Sequence, residues 1–237
     1  MKQVKLKVTL LDVTKDSIDL IYASARQCYS KLSASEITKN RVPLYKKENF
    51  IKKVVSSGHE SITEHAKFTF SVEGISRVTT HQLVRHRLAS YSQQSQRYVG
   101  FDDIPYIIPP VIKNNKKAQR YFLDTMKQVE NAYKELIKIF ESEAKNRETK
   151  NQDVRYILPS CVETKIVISM NCRELLHFFR LRCCARAQWE IRNLAREMLK
   201  ICKKKLPAVF CEAGPKCVQL GYCPEGQFSC GRYPVKR

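Results

Sequence analysis

The segment RHRLASYSQQSQRY, residues 85–98, holds four cationic or titratable side chains: Arg85, His86, Arg87 and Arg97. Three serines, three glutamines and two tyrosines surround them, and there is no acid. A stretch this rich in donors suits a bound anion. Arg85, His86 and Arg87 are consecutive, so on a continuing helix they would fan over about 200°. They can face one ligand only where a helix ends and the backbone departs. Arginine supplies a planar, two-pronged donor that matches phosphate and carboxylate oxygens. Gln93, Ser95 and Arg97 follow at the two-residue step of one face of an extended stretch, which predicts a polar face beside the arginines. A basic loop that meets only solvent, or acids from another segment, is the alternative reading of the same residues.

The chain has 237 residues, of which 43% are hydrophobic, enough for a folded core. Its formal net charge of +20 favours polyanionic or phosphorylated partners, or an acidic membrane surface, without choosing among them. No apolar run approaches the roughly 20 residues that a membrane span needs. Residues 1–11 alternate charged and apolar side chains, a strand pattern rather than a signal peptide. The ten cysteines therefore read as reduced thiols of a cytoplasmic protein. The seven glycines build neither G-x-G-x-x-G nor G-x-x-x-x-G-K-[ST], so a nucleotide must be held by side chains rather than by a glycine loop.

Periodicity predicts strands over residues 4–13, 67–72 and 163–170. It predicts helices over residues 17–29, with Asp16 or Ser17 as cap, and over 47–56, 76–88, 116–145 and 171–205. The helix 76–88 delivers the arginines at its C-terminal end. No repeat or clear linker interrupts the chain, so one α+β domain over residues 1–208 is expected, with a Cys-rich extension over 209–237. In that extension Cys211, Cys217, Cys223 and Cys230 lack the tight pairs of structural zinc sites. Free thiols are expected there and no metal site is assigned; zinc and disulfides are the alternatives.

A second cluster, NCRELLHFFRLRCCARAQWEIR at residues 171–192, sets Asn171, Arg173, His177, Arg182 and Arg186 among large apolar side chains. Charges interleaved this way are partly buried and need partners. Glu190 stands four residues from Arg186, the spacing of a helical ion pair, which leaves Arg182 as the better candidate to face a ligand.

Arg85-His86-Arg87, seven residues and then Ser95 read R-H-R-x7-S, and here the chain resembles the flavin-dependent thymidylate synthase (ThyX) family. Residues 58–65, GHESITEH, followed by Phe68-Thr69-Phe70, resemble a second family segment. RYILP from Arg155 and the 171–192 cluster resemble two more, in the family's order, so the resemblance spans roughly residues 4–206. It implies a ThyX-like fold with a mixed sheet and long helices, assembled as a homotetramer with sites shared between subunits. The implied activity is reductive methylation of dUMP to dTMP. FAD would carry the hydride, NADPH would be the reductant and 5,10-methylenetetrahydrofolate the carbon donor. By position, Ser61, Arg85, His86, Arg87, Gln93, Asn171, Arg173 and His177 would touch FAD. Gln82, Arg85, Ser95, Arg97, Arg155 and Arg182 would hold dUMP, with Arg182 as the catalytic group against the uracil. His59 would lie near flavin and folate. Gln93 departs from the family, which often has Glu there. Members methylate without a cysteine nucleophile, so Cys161 reads as packing. The competing class is a basic nucleic-acid-binding protein without enzymatic activity. No RNA- or DNA-binding motif and no stacking platform is present, so specific nucleic-acid binding is not expected. A serine hydrolase fails for want of a G-x-S-x-G elbow.

Overall fold

The computed structural model describes residues 1–141 and 147–236, without the side chains of residues 147 and 149. Its strands are β1 (Lys2–Gln3), β2 (Lys7–Val13), β3 (Lys67–Ser76), β4 (Ala89–Gln93), β5 (Pro105–Tyr106) and β6 (Glu163–Asn171). The first helices are α1 (Ser17–Gln27), α2 (Ala34–Lys39), α3 (Leu44–Ser56), α4 (Arg77–Leu83), α5 (Pro110–Lys113) and α6 (Lys116–Ile139). They are followed by α7 (Arg147–Val154), α8 (Cys172–Arg182), α9 (Trp189–Lys205), α10 (Pro207–Phe210) and α11 (Lys216–Leu220). Four strands form one sheet in the order β2-β3-β6-β4, and β1 pairs in parallel with β5. Helices and sheets thus occur together, as the α+β reading expects. No helix among the described residues is long and apolar enough to cross a membrane.

Chain contacts define two compact units. The first contains Met1–Lys7, Val72–Val84 and Ser92–Val167. Its core gathers Ile104, Tyr106, Ile108, Met126, Tyr133, Val154 and Val162. The apolar stripe of α6 supplies Met126 and Tyr133, as its three- and four-residue spacing predicts. The expected residues of this helix from 142 to 145 lie outside the described residues. Cys161 packs against this core with its sulfur 3.5 Å from Met126 Sδ. Buried Glu130 accepts the Ile104 N–H at 3.2 Å and the Met1 ammonium at 3.1 Å. The single strand expected over 4–13 is split, because the Val4 N–H bonds the Tyr106 carbonyl at 3.1 Å and so continues the β1–β5 pairing. The expected helix 76–88 stops at Leu83, five residues early.

The second unit contains Val8–Ser71, Arg85–Tyr91 and the chain from Ile168 onward. Its fully buried side chains include Ile51, Phe68, Phe70, Phe178, Phe179, Leu194 and Phe210. Phe210 meets Phe68 and Phe179 at ring-centroid distances of 5.8 and 6.0 Å, so the start of the C-terminal segment is core. Asp16 precedes α1 in a left-handed conformation without a side-chain cap bond, and the Ser17 hydroxyl donates back to the Thr14 carbonyl. Neither residue therefore caps α1 through its side chain.

The one helix expected over 171–205 is two. Asn171 caps α8 through a 2.8 Å bond from the Glu174 N–H. Gln188 caps α9, its side-chain oxygen accepting the N–H groups of Glu190 and Ile191 at 2.9 and 3.1 Å. No glycine or proline occupies 183–188; a glutamine, ordinarily a helix former, makes the break. Arg186 leaves the helical register, so it pairs with Glu225 rather than Glu190 and lies 4.5 Å from the Phe228 ring centroid.

Gly74 has φ +70, and a Cβ there would sit 1.9 Å from the Lys5 carbonyl oxygen. Gly58 has φ +87 but open space around it. Gly74→Ala is expected to lose about 3 kcal/mol or more, from left-handed strain plus backbone overlap, and Gly58→Ala about 1 kcal/mol from strain alone. Urea unfolding of the two variants measures the difference; equal losses would contradict it.

Candidate active site

The early end of α4 releases Arg85, His86 and Arg87 from helical geometry before β4 begins. Arg85 and Arg87 are exposed, while His86 between them is buried. Within the second unit, His86 Nδ1 lies 3.0 Å from Glu174 Oε1, and its Nε2 accepts from Arg182 Nε at 3.0 Å. Phe178 packs edge-on against the ring at 4.9 Å, and His177 stands 5.9 Å away. The Tyr91 hydroxyl donates to the His86 carbonyl at 2.9 Å. Both ring nitrogens are thus engaged inside the protein, so this side chain offers a ligand no nitrogen in this arrangement.

The electrostatics follow from burial. Burial lowers the His86 pKa from 6.5 to about 4, and the charges of Arg182 and His177 add to the fall. Burial raises the Glu174 carboxyl, which His177 partly offsets. It holds the Arg182 guanidinium below its ordinary value, and the like charge of Arg85 adds to this. Two guanidiniums near one another, one half-buried, favour an anion between or beside them.

Asn171, Arg173 and His177 line a cavity of about 460 Å³ with Glu60, Glu64, Leu88, Glu174 and Arg180. Arg173 pairs with Glu64. Arg180 grips both oxygens of Glu60, at 2.9 Å through Nη1, and donates Nε–H to Gln219 at 2.9 Å. Ser61 opens a short 3-10 turn, and it and His59 are exposed. Sequence reading missed Glu60, Glu64, Glu174 and Arg180. Glu60 and Glu64 stand inside the quoted GHESITEH segment. Asn171-x-x-Glu174 reads as an ordinary helix start, which conceals that the Glu174 carboxylate turns to His86.

The first unit holds Gln82, Gln93, Ser95, Arg97 and Arg155. Gln93 Nε2 donates to the hydroxyls of Thr164 and Thr80 at 3.2 and 3.4 Å. The extended face expected through Ser95 and Arg97 is absent. β4 ends at Gln93, and Ser95 starts a turn in which its hydroxyl accepts the Arg97 N–H at 3.2 Å. Arg97 pairs with Glu148 and stacks 5.6 Å from the Tyr98 centroid. Arg155 donates to the Gln152 carbonyl at 3.1 Å. Arg77, which the sequence reading did not select, has its pKa lowered by burial and then by the charge of Arg155. In the C-terminal segment burial raises the Cys217 thiol, and Cys223, Cys184 and Cys230 add to the rise. Among the described residues no group of three or more His, Cys, Asp or Glu side chains is arranged to hold a metal ion.

The family model described as "Thymidylate synthase complementing protein" matches residues 9–208. A flavin-dependent thymidylate synthase of Nitratidesulfovibrio vulgaris is 45% identical over 242 residues, covering 100% of this chain and 99% of that one. The chain belongs to the flavin-dependent thymidylate synthase family. The Clostridium tetani member is also 45% identical, over 98% of this chain and 95% of its own. The fold resembles that of a UMP/dUMP methylase, PolB from Streptomyces cacaoi, solved with 5-Br dUMP. That likeness has a TM-score of 0.72 at 20% identity and covers 89% of this chain and 95% of the other.

A depressed folded-state pKa means that His86 stabilises the fold above its unfolded value of 6.5 and that this stability is lost as pH falls toward 4. His86→Gln can keep both hydrogen bonds but cannot titrate. Between pH 7 and pH 4 the wild type is expected to lose about 2–3 kcal/mol more unfolding free energy than this variant. Denaturant titration at the two pH values reads the difference, and parallel losses would refute the assignment.

Proposed function

We propose that this member of the family carries out the reductive methylation of dUMP to dTMP, with NADPH and 5,10-methylenetetrahydrofolate as co-substrates. FAD, when bound, supplies the hydride transfer. The observation that carries this reading is the release of Arg85 and Arg87 at a helix end, with Arg85 near Arg182. A chain without glycine phosphate loops meets its anionic ligands with such side chains. Around FAD we assign Ser61, Arg85, Arg87, Gln93, Asn171, Arg173 and His177, with His59 near flavin and folate. The donor set fits a pyrophosphate: exposed arginines, a serine and an asparagine, beside a cavity whose acids Glu60 and Glu64 already pair with Arg180 and Arg173. For His86 the role assigned is support of Arg182 rather than a ring contact with flavin. For dUMP we assign Gln82, Arg85, Ser95, Arg97, Arg155 and Arg182.

Arg182 is the group assigned to the uracil. Its fixed guanidinium stabilises negative charge that develops on the ring without giving up a proton. Gln93 stands where many members have Glu; its amide donates to two threonine hydroxyls, so this position positions and does not titrate. Residues 1–208 are assigned as the synthase domain and 209–237 as an extension. The working assembly is a homotetramer in the cytoplasm.

Arg182→Ala is expected to keep the yellow flavin and to lose roughly 10²–10³-fold in turnover. Arg182→Lys should recover little, since it keeps charge but not the planar fork. The visible flavin spectrum and dUMP-dependent tritium release from carbon 5 of uracil measure both. Near wild-type turnover in Arg182→Ala would overturn the assignment. A colourless protein that takes up no added FAD would favour the basic nucleic-acid binder.

A further inference from the structure

Three groups in the second unit form a line from acid to base to cation: Glu174, His86 and Arg182. The two bonds are each 3.0 Å, and the side chains of His86 and Glu174 are 4% and 6% exposed. Arginine Nε always carries hydrogen, so it must donate and His86 Nε2 must accept. A neutral imidazole accepting at Nε2 carries its proton at Nδ1. That proton faces Glu174 Oε1, which accepts it. Glu174 thus sets which nitrogen of His86 holds the proton, and the bare Nε2 sets the plane of the Arg182 fork by engaging Nε rather than the terminal amino groups.

From this geometry we infer that Glu174 is a positioning residue for Arg182, acting through the Nδ1–H tautomer of His86. The inference rests on the assignment of Arg182 to the uracil. Glu174 touches neither that ring nor the reacting atoms in this scheme. Its side chain could have closed a capping box at the start of α8, where Asn171 already accepts the Glu174 N–H at 2.8 Å; it reaches His86 instead. With Glu174 removed, the imidazole can flip its proton to Nε2. Two donors, Nε2–H and Arg182 Nε–H, would then face one another and turn the guanidinium away. Phe178 packs against the ring and the Tyr91 bond to the His86 carbonyl restrains its backbone, so such a change moves the arginine more than the histidine.

The experiment uses flavin-loaded protein and three readouts: ¹⁵N NMR of histidine-labelled enzyme, dUMP affinity from perturbation of the flavin spectrum, and steady-state kcat and KM. In the wild type, His86 is expected to show a protonated Nδ1 and an unprotonated Nε2; the opposite tautomer, or an imidazolium at pH 7.5, overturns the inference whatever the variants do. Glu174→Gln keeps an acceptor oxygen for Nδ1–H and is expected to stay within about 5-fold of wild type. Glu174→Ala is expected to lose on the order of 10²-fold in kcat/KM for dUMP, with weaker dUMP binding and an unchanged flavin spectrum. Equal losses in the two variants would show that charge rather than hydrogen-bond acceptance matters, and would overturn the positioning role. Glu174→Ala with wild-type kinetics, beside an inactive Arg182→Ala, would overturn it while leaving the assignment of Arg182 intact. An active Arg182→Ala would instead remove the assignment on which it rests. If Glu174→Ala does not fold, the wild-type tautomer and the Glu174→Gln kinetics still decide.

Discussion

A guanidinium can only donate, and Arg182 directs its Nε–H at a buried imidazole. In that bond His86 is neutral and accepts at Nε2, and the buried Glu174 accepts the proton that the ring then carries at Nδ1. Glu174 and Arg182 stand in the first and last turns of one helix, about 12 Å apart along its axis. Helical side chains lean toward the N-terminus, so the long arginine reaches back toward the acid, and the ring spans what remains. The rigidity of α8 passes through the ring to the fork. An exposed arginine is free to sample many orientations; this one is held by the protein itself.

The surplus of positive charge is distributed with the same economy. Near the cavity of the second unit each acid has a cationic or imidazole partner: Glu60 with Arg180, Glu64 with Arg173 and Glu174 with His86. The two arginine–glutamate pairs hold their side chains in place and offset one another's charge, whereas the neutral imidazole of His86 gives Glu174 a hydrogen bond only. The exposed Arg85 and Arg87 flank His86 in the chain and belong to none of these pairs. A strongly basic protein would attract polyanions indiscriminately if all its arginines were exposed. Here several are tied to carboxylates, while Arg85 and Arg87 stand exposed where the backbone leaves α4.

Much of this was legible in the sequence because it rests on local chemistry. The amphipathic stripe of α6, the strand patterns of β3 and β6 and the donor-rich run from Arg85 to Tyr98 all appear as residue spacing. The failures share a cause. The turn at Ser95 and the break between α8 and α9 are made with side-chain hydrogen bonds, and neither they nor the stop of α4 at Leu83 is marked by glycine or proline. A capping glutamine such as Gln188 looks like any helical glutamine until its partners are known. Glu174 was passed over because its best local reading, a helix-start acid, is also partly true. Its contact with His86 spans 88 residues of sequence, and no spacing rule sees that far. Arg186 was given the wrong partner for the related reason that Glu225 lies in a segment with no periodicity.

The C-terminal residues beyond the family match are tied into the second unit by two arginines. Gln219 takes the Nε–H of Arg180, whose other two prongs hold Glu60 at the cavity wall. Glu225 and Phe228 share Arg186. Loss of Gln219, Glu225 or Phe228 would loosen the posts to which these two arginines are tied. Gln219 in particular braces the cavity wall from behind, so the tail bears on the cavity without lining it.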